Sequence, residues 1–242
     1  MTIRIAMWSG PRNISTAMMR AWENRPDCEV VDEPFYAAYL AATGLDHPMR
    51  TDILAAQSND YNTVIEQLTG ANVASELQYQ KHMTHHIPRG MDMQWCKPLR
   101  HCFLIRDPAE VIASYVQKMP GVDEDAIGIT RQAELFDEIT DICEQAPAVI
   151  DSNDVLRNPE GVLAVLSEQL GLPFTARHML QWPAGRRDSD GAWAPHWYHN
   201  VEQSTGFGPY RPSQPALQGA HADLAQAMQA PYQHMWQRRI QA

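Results

Sequence analysis

The stretch MWSGPRNISTAMMRAW, residues 7–22, sets an arginine and two hydroxyl side chains where an apolar run gives way to a helical pattern. Ile3–Trp8 reads as a buried strand, Gly10 and Pro11 interrupt it, and Ser15–Asn24 reads as the helix that follows. A helix starting at the carboxyl end of a strand presents unpaired backbone N–H groups and the positive end of its dipole. Arg12 adds a permanent charge, and Asn13, Ser15 and Thr16 add hydrogen-bonding groups, so the turn suits a phosphate or sulfate. The second glycine and the lysine of the Walker A pattern are missing, which speaks against a magnesium-nucleotide triphosphatase. Taken alone, the same residues also describe a helix start with an exposed arginine.

Two later segments add cations. LIRDPAEVIASY puts Arg106 at the end of a clear strand and Ser114 two turns into the next helix. A guanidinium at that edge matches the paired oxygens of a phosphate. GRRDSDGAWAPHW sets Arg186 and Arg187 before a flexible run, with Gly191 and Trp193 behind them, a loop able to close over an anion. Two places offer a proton acceptor. Glu33 follows the second strand in VVDEPFY, and His85 and His86 lie with Lys81 and His82 in YQKHMTHHIP. Histidine titrates near neutrality, whereas glutamate needs a raised pKa to serve as a base there. His82 and His86 have the spacing of metal ligands on a helix but lack the accompanying pattern, and no metal is expected.

The elements that must carry these groups alternate. Strands are predicted at Glu29–Asp32, Cys102–Arg106 and Pro147–Asp151, with a weaker one at Asn72–Leu77, and helical patterns fill the intervals. This is the signature of an α/β fold with a parallel central sheet flanked by helices. One domain over residues 1–242 is the simplest reading, with an irregular loop around 183–212. A net charge of -10 argues against a nucleic-acid partner. No apolar stretch approaches the roughly 20 residues of a membrane span, and no signal peptide is visible. Four scattered cysteines read as reduced thiols of a cytoplasmic protein.

With three anion segments in this order, the chain resembles the sulfotransferases that use 3′-phosphoadenosine 5′-phosphosulfate (PAPS), from about Ile3 to Trp197. The resemblance implies a P-loop-like nucleotide-binding fold. PRNISTA is similar to the family's 5′-phosphosulfate loop, giving Arg12, Asn13, Ser15 and Thr16; IRDPAEVIASY is similar to its 3′-phosphate segment, giving Arg106 and Ser114. RRDSDGAW resembles the late nucleotide loop and supplies Arg186, Arg187, Gly191 and Trp193. Ile14 stands where the family has a glycine, which predicts a difference in the loop path or in the way sulfate is gripped, and Asp188 replaces another glycine. The implied activity is transfer of a sulfuryl group from PAPS to a hydroxyl or amine of a small-molecule acceptor, leaving 3′-phosphoadenosine 5′-phosphate (PAP). Arg12 would stabilise the developing charge. The base would be Glu33, as in several branches, or a histidine, since THHIP is similar to the family's Lys-Thr-His-Leu-Pro and aligns His86. The competing readings are a non-catalytic nucleotide-binding or interaction protein of the same fold, and a small-molecule kinase.

Overall fold

The structure, a computed structural model, describes residues 2–70, 73–119 and 121–242. Its centre is a five-stranded sheet of β1 (Ile3–Ser9), β2 (Cys28–Asp32), β3 (Leu77–Met83), β4 (Arg100–Ile105) and β5 (Ala148–Asp151). All pairings are parallel, in the order β2-β3-β1-β4-β5. Alternate side chains of β1 enter opposite layers: Ile5 and Met7 join one apolar cluster, Ala6 and Trp8 the other. Both faces of the sheet are therefore covered, as parallel sheets require. The chain leaves β1 for the edge on one side (β2), returns to place β3 beside β1, and then adds β4 and β5 on the other side. The carboxyl end of β1 is thus the point where strand order reverses, the usual place for a ligand crevice.

Register brings the chemistry-bearing residues to that edge. Ser9 at the end of β1 lies opposite Met83 of β3 and Leu104 of β4, and Asp32 at the end of β2 lies opposite Lys81. Arg106 comes just past β4.

The strand expected at Asn72–Leu77 lies instead at Leu77–Met83, and Asn72 is outside the described residues. The sequence LQYQKHM carries no apolar run because its polar side chains are buried and paired. Gln80 Nε2, for example, donates to Leu68 O at 3.0 Å and to Gln78 Oε1 at 2.8 Å.

Helices follow the predicted intervals: α1 (Ser15–Glu23), α2 (Tyr36–Thr43), α3 (Arg50–Ala56), α4 (Tyr61–Thr69), α5 (Pro108–Tyr115), α6 (Glu124–Ile127) and α7 (Ile129–Cys143). Asp107 caps α5 by accepting from the N–H groups of Ala109 and Glu110, with Pro108 in the first turn. This fixes how the chain leaves β4 and so where Arg106 emerges. Between Pro183 and Gly219 the chain is mostly irregular, with single-turn helices at Ala194–Trp197 and His199–Glu202, and two longer helices, Ala220–Ala227 and Gln229–Trp236, follow. Among the described residues no helix is long and apolar enough to cross a membrane.

Candidate active site

The turn between β1 and α1 is clamped from below. Asn13 Nδ2 donates to Leu104 O at 2.6 Å, and Gln132 Nε2 bridges Trp8 O and Leu104 O at 3.0 and 2.9 Å. Arg106 Nη1 donates to Arg12 O at 2.7 Å, tying the end of β4 to the turn. Gly10 is needed for close approach: a Cβ there would stand 2.8 Å from Ile127 O.

Arg12 and Ile14 both adopt left-handed backbone, with φ of 59° and 51°. Ile14 therefore holds the conformation that glycine favours. For a β-branched residue this costs on the order of 1–2 kcal/mol. Glu33, with φ 41°, is also left-handed, and all three residues line one cleft. Strain of this kind persists where surrounding contacts over-determine it, most often at functional sites.

That cleft has a volume of about 420 Å³. One wall carries Arg12, Asn13, Ser15, Thr16, Arg106 and Ser114; another carries Glu33, Lys81, His85, His86 and Tyr198. Residues of the first two anion segments thus meet Glu33, the histidines and Tyr198 in one cleft. Arg12 Nε donates to Ser114 Oγ at 2.9 Å, and no carboxylate among the described residues pairs with it. Burial, and then the neighbouring Arg106, lower its pKa from the ordinary arginine value. The charge survives at neutral pH, because guanidinium does not deprotonate in proteins. Arg106 is shared with Glu110, 2.9 Å from its Nε. The N-terminus of α1 has no side-chain cap, so its first N–H groups are not taken by a cap. A strained turn, an uncapped helix end and a guanidinium without a carboxylate partner together can hold an anion.

The opposite wall is organised by Lys81, which no motif singled out as a site residue. Its ammonium reaches Asp32 Oδ1 at 2.9 Å, Glu33 Oε1 at 2.7 Å and the Tyr198 hydroxyl at 2.6 Å. Burial works against the Lys81 charge, but Asp32, Glu33 and Tyr198 outweigh it and hold its pKa well above the ordinary range. Tyr198 Oη donates to Asp32 Oδ2 at 2.6 Å and accepts from Trp193 Nε1 at 3.0 Å. Burial raises the Glu33 pKa, against the pull of Lys81.

His86 is enclosed and His85 is half-buried. His86 stacks between Tyr36 and Tyr39, with ring centroids 4.5 and 4.8 Å away. Burial pushes His85 down to about 3 and His86 well below its ordinary value. Both are neutral at physiological pH and weakly basic. His82 stacks on Trp8 at 4.4 Å, and the described residues hold no cluster of three or more metal-ligating side chains.

The late segment packs beside the cleft without bringing its arginines into it. Arg186 is exposed, and Arg187 Nε lies 3.8 Å from Glu23. Gly191 sits beneath the Trp193 ring: a Cβ there would fall 2.2 Å from ring carbons. Trp193 is buried, and Asp188 is exposed and does not line the cleft. Arg186, Arg187, Gly191 and Trp193 are not among the residues lining the cleft.

The family model of the sulfotransferase domain matches residues 3–239. The chain belongs to the sulfotransferase domain family. In fold this sulfotransferase-family chain is similar to the sulfotransferase domain from the curacin biosynthetic pathway, with a TM-score of 0.54 at 16% identity, covering 94% of this chain and 98% of that one. The sulfotransferase domain of the Synechococcus PCC 7002 olefin synthase gives the same TM-score of 0.54 and identity of 16%, covering 93% and 94%. By sequence the chain is similar to branched-chain-amino-acid aminotransferase-like protein 1 of Arabidopsis thaliana, 36% identical over 206 residues, which is 84% of this chain and 36% of the relative. A second such protein of the same plant is 34% identical over 205 residues. The chain spans about a third of the length of these curated relatives, 36% of each.

Proposed function

We propose that this protein transfers a sulfuryl group from PAPS to a hydroxyl or amine of a small-molecule acceptor. The observation that carries the reading is Arg12: a half-buried guanidinium with no carboxylate partner among the described residues, beside an uncapped helix end and in the same cleft as Glu33. The donor supplies an activated sulfuryl group when bound. Ser15, Thr16 and the first N–H groups of α1 would hold its 5′ end, and Arg106 with Ser114 its 3′-phosphate. Arg12 would stabilise charge on the departing phosphate, a role that suits a group unable to give up its proton. Arg186, Arg187, Gly191 and Trp193 would form the nucleotide-covering loop, with the two arginines moving into the cleft, which they do not line in this structure.

Glu33 is the better base. Its Oε1 accepts from Lys81, and Oε2 receives no donor among the described residues, so one carboxylate oxygen is available to an acceptor proton. Burial moves its pKa upward, toward the range useful at neutral pH, while burial moves His85 and His86 the wrong way. The histidines, stacked among tyrosines, would shape the acceptor pocket rather than take its proton.

The test is calorimetric titration with PAP and with AMP, followed by a sulfate-transfer assay with PAPS over a panel of alcohols, phenols and amines. Selective PAP binding and a sulfated product are expected. Equal weak binding of both nucleotides would remove the donor assignment, and selective binding without transfer to any acceptor would favour a binding protein.

A further inference from the structure

A protonated lysine has three N–H donors and no acceptor. Those of Lys81 are matched by three oxygens, on Asp32, Glu33 and Tyr198, and its side chain is 1% exposed. It therefore has nothing left to offer a substrate. Tyr198 is equally spent: its proton goes to Asp32, and its oxygen accepts from Lys81 and Trp193. Asp32 Oδ2 takes the Tyr198 hydroxyl and, at 3.3 Å, the Gly191 N–H. Every group of this buried network is saturated from within except Glu33 Oε2.

The network also joins distant parts of the chain. Asp32 ends β2, Lys81 lies in β3, and Gly191, Trp193 and Tyr198 belong to the late segment. Glu33 is held at a left-handed φ of 41°, and its backbone N–H donates to Lys81 O at 2.9 Å beside the side-chain ion pair. We propose that Lys81, pinned by Asp32 and Tyr198, is the positioning residue that fixes the Glu33 carboxylate with one oxygen free toward the cleft, so that the late segment is built into the proton-accepting device. This deepens the assignment of Glu33 as base and rests on it. The charged and titratable groups around Glu33 are Lys81 from β3, Asp32 from β2, Tyr36 from α2 and Tyr198 from the late segment. Lys81 draws the carboxyl downward and Asp32 pushes it upward, so removing each gives opposite signs.

The experiment follows the Glu33 carboxyl directly, by carbon NMR of protein labelled at the glutamate carboxyl carbon, with the signal assigned by its loss in Glu33→Gln. Lys81→Met is expected to move the titration up by about one pH unit or more, and Asp32→Asn to move it down. Should Lys81→Met not fold, the charge-balanced Asp32→Asn/Lys81→Met double variant carries the test, with an upward shift expected. The acid limb of kcat/KM should move with the carboxyl in each variant. A titration that stays at the wild-type value in both the lysine-lacking protein and Asp32→Asn overturns the proposal. Opposite shifts of the carboxyl beside a fully active Glu33→Gln would leave the positioning in place and overturn only the base assignment.

Discussion

Arg20 Nη2 lies 2.5 and 2.7 Å from the two carboxylate oxygens of Asp190, with both side chains sealed from solvent. This pair fastens α1, which begins at the anion turn, to the late segment. Asp190 also accepts from the Arg187 N–H at 2.8 Å, and Glu23 takes a second nitrogen of Arg20 at 3.1 Å. Breaking a buried pair by deleting one partner strands the other charge. Asp190→Ala is therefore expected to lose about 3 kcal/mol of stability. Urea unfolding measures it; a midpoint close to wild type would mean that Glu23 alone satisfies Arg20.

Gly191 owes its identity to contact rather than to backbone conformation. The Trp193 ring occupies the space a Cβ would need, at 2.2 Å. Gly191→Ala must displace that ring and its bond to Tyr198, at an overpacking cost of about 1–3 kcal/mol. Thermal unfolding together with tryptophan emission would report it. An unchanged melting temperature with unchanged emission would contradict the packing described.

The fold was legible where local signals are strong. β1 and the helix after it, the capped start of α5 at Asp107-Pro108, and the alternation of elements follow from short-range chemistry. β3 was not, because a strand buried on both faces normally reads as apolar. Gln78, Gln80, Lys81 and His82 here satisfy one another or nearby groups instead. The same fact hid Lys81: a lysine among glutamines and histidines looks like a solvated face. Arg12, Arg106 and Glu33 were legible because each follows a strand at one sheet edge, and Ser114 because it lies in the helix that starts just past Arg106. The Arg20–Asp190 and Lys81–Tyr198 contacts join residues 170 and 117 positions apart, and no local pattern encodes such separations.

Acid should destabilise the protein through its buried imidazoles. Burial holds His82 and His85 at about 3 and His101 at about 4. Their unfolded value is about 6.5. Between these limits the unfolded chain binds more protons, so stability rises with pH and is lost as pH falls below about 6.5. Each histidine contributes roughly 1.4 kcal/mol per pH unit in that window. Chemical denaturation at pH 7, 6 and 5 should show a falling midpoint, with a shallower fall in His101→Gln. A midpoint constant from pH 7 to 5 would show these rings to be solvated.

Arg12 and Arg106 should separate in kinetics, though not completely. Arg106→Ala is expected to weaken PAP binding by roughly 2–5 kcal/mol if it clamps a buried phosphate. Because Arg106 also holds Arg12 O, a smaller loss of rate at saturating donor should accompany it. Arg12→Ala should depress the saturated single-turnover rate more strongly than Arg106→Ala, since its contribution grows as charge develops. Full recovery of Arg12→Ala at saturating donor would confine this residue to binding.

The acceptor side of the cleft makes the sharpest distinction. Glu33→Gln preserves shape and can still accept a bond from Lys81 through its amide oxygen, but its free end can no longer take a proton. Donor binding should stay near wild type, and the chemical step should fall by roughly 10²–10⁴-fold. His86→Ala removes a ring stacked between Tyr36 and Tyr39, so its main effect should fall on acceptor KM. With His85 pushed down to about 3 and His86 lower than usual, no histidine limb should appear in the rate between pH 5 and 9. The acid limb should follow the raised carboxyl of Glu33, with activity lost as pH falls through it. Single-turnover rates of wild type, Glu33→Gln and His86→Ala across that range decide the matter. A Glu33→Gln rate near wild type beside a collapsed His86→Ala rate would transfer the base to the histidine.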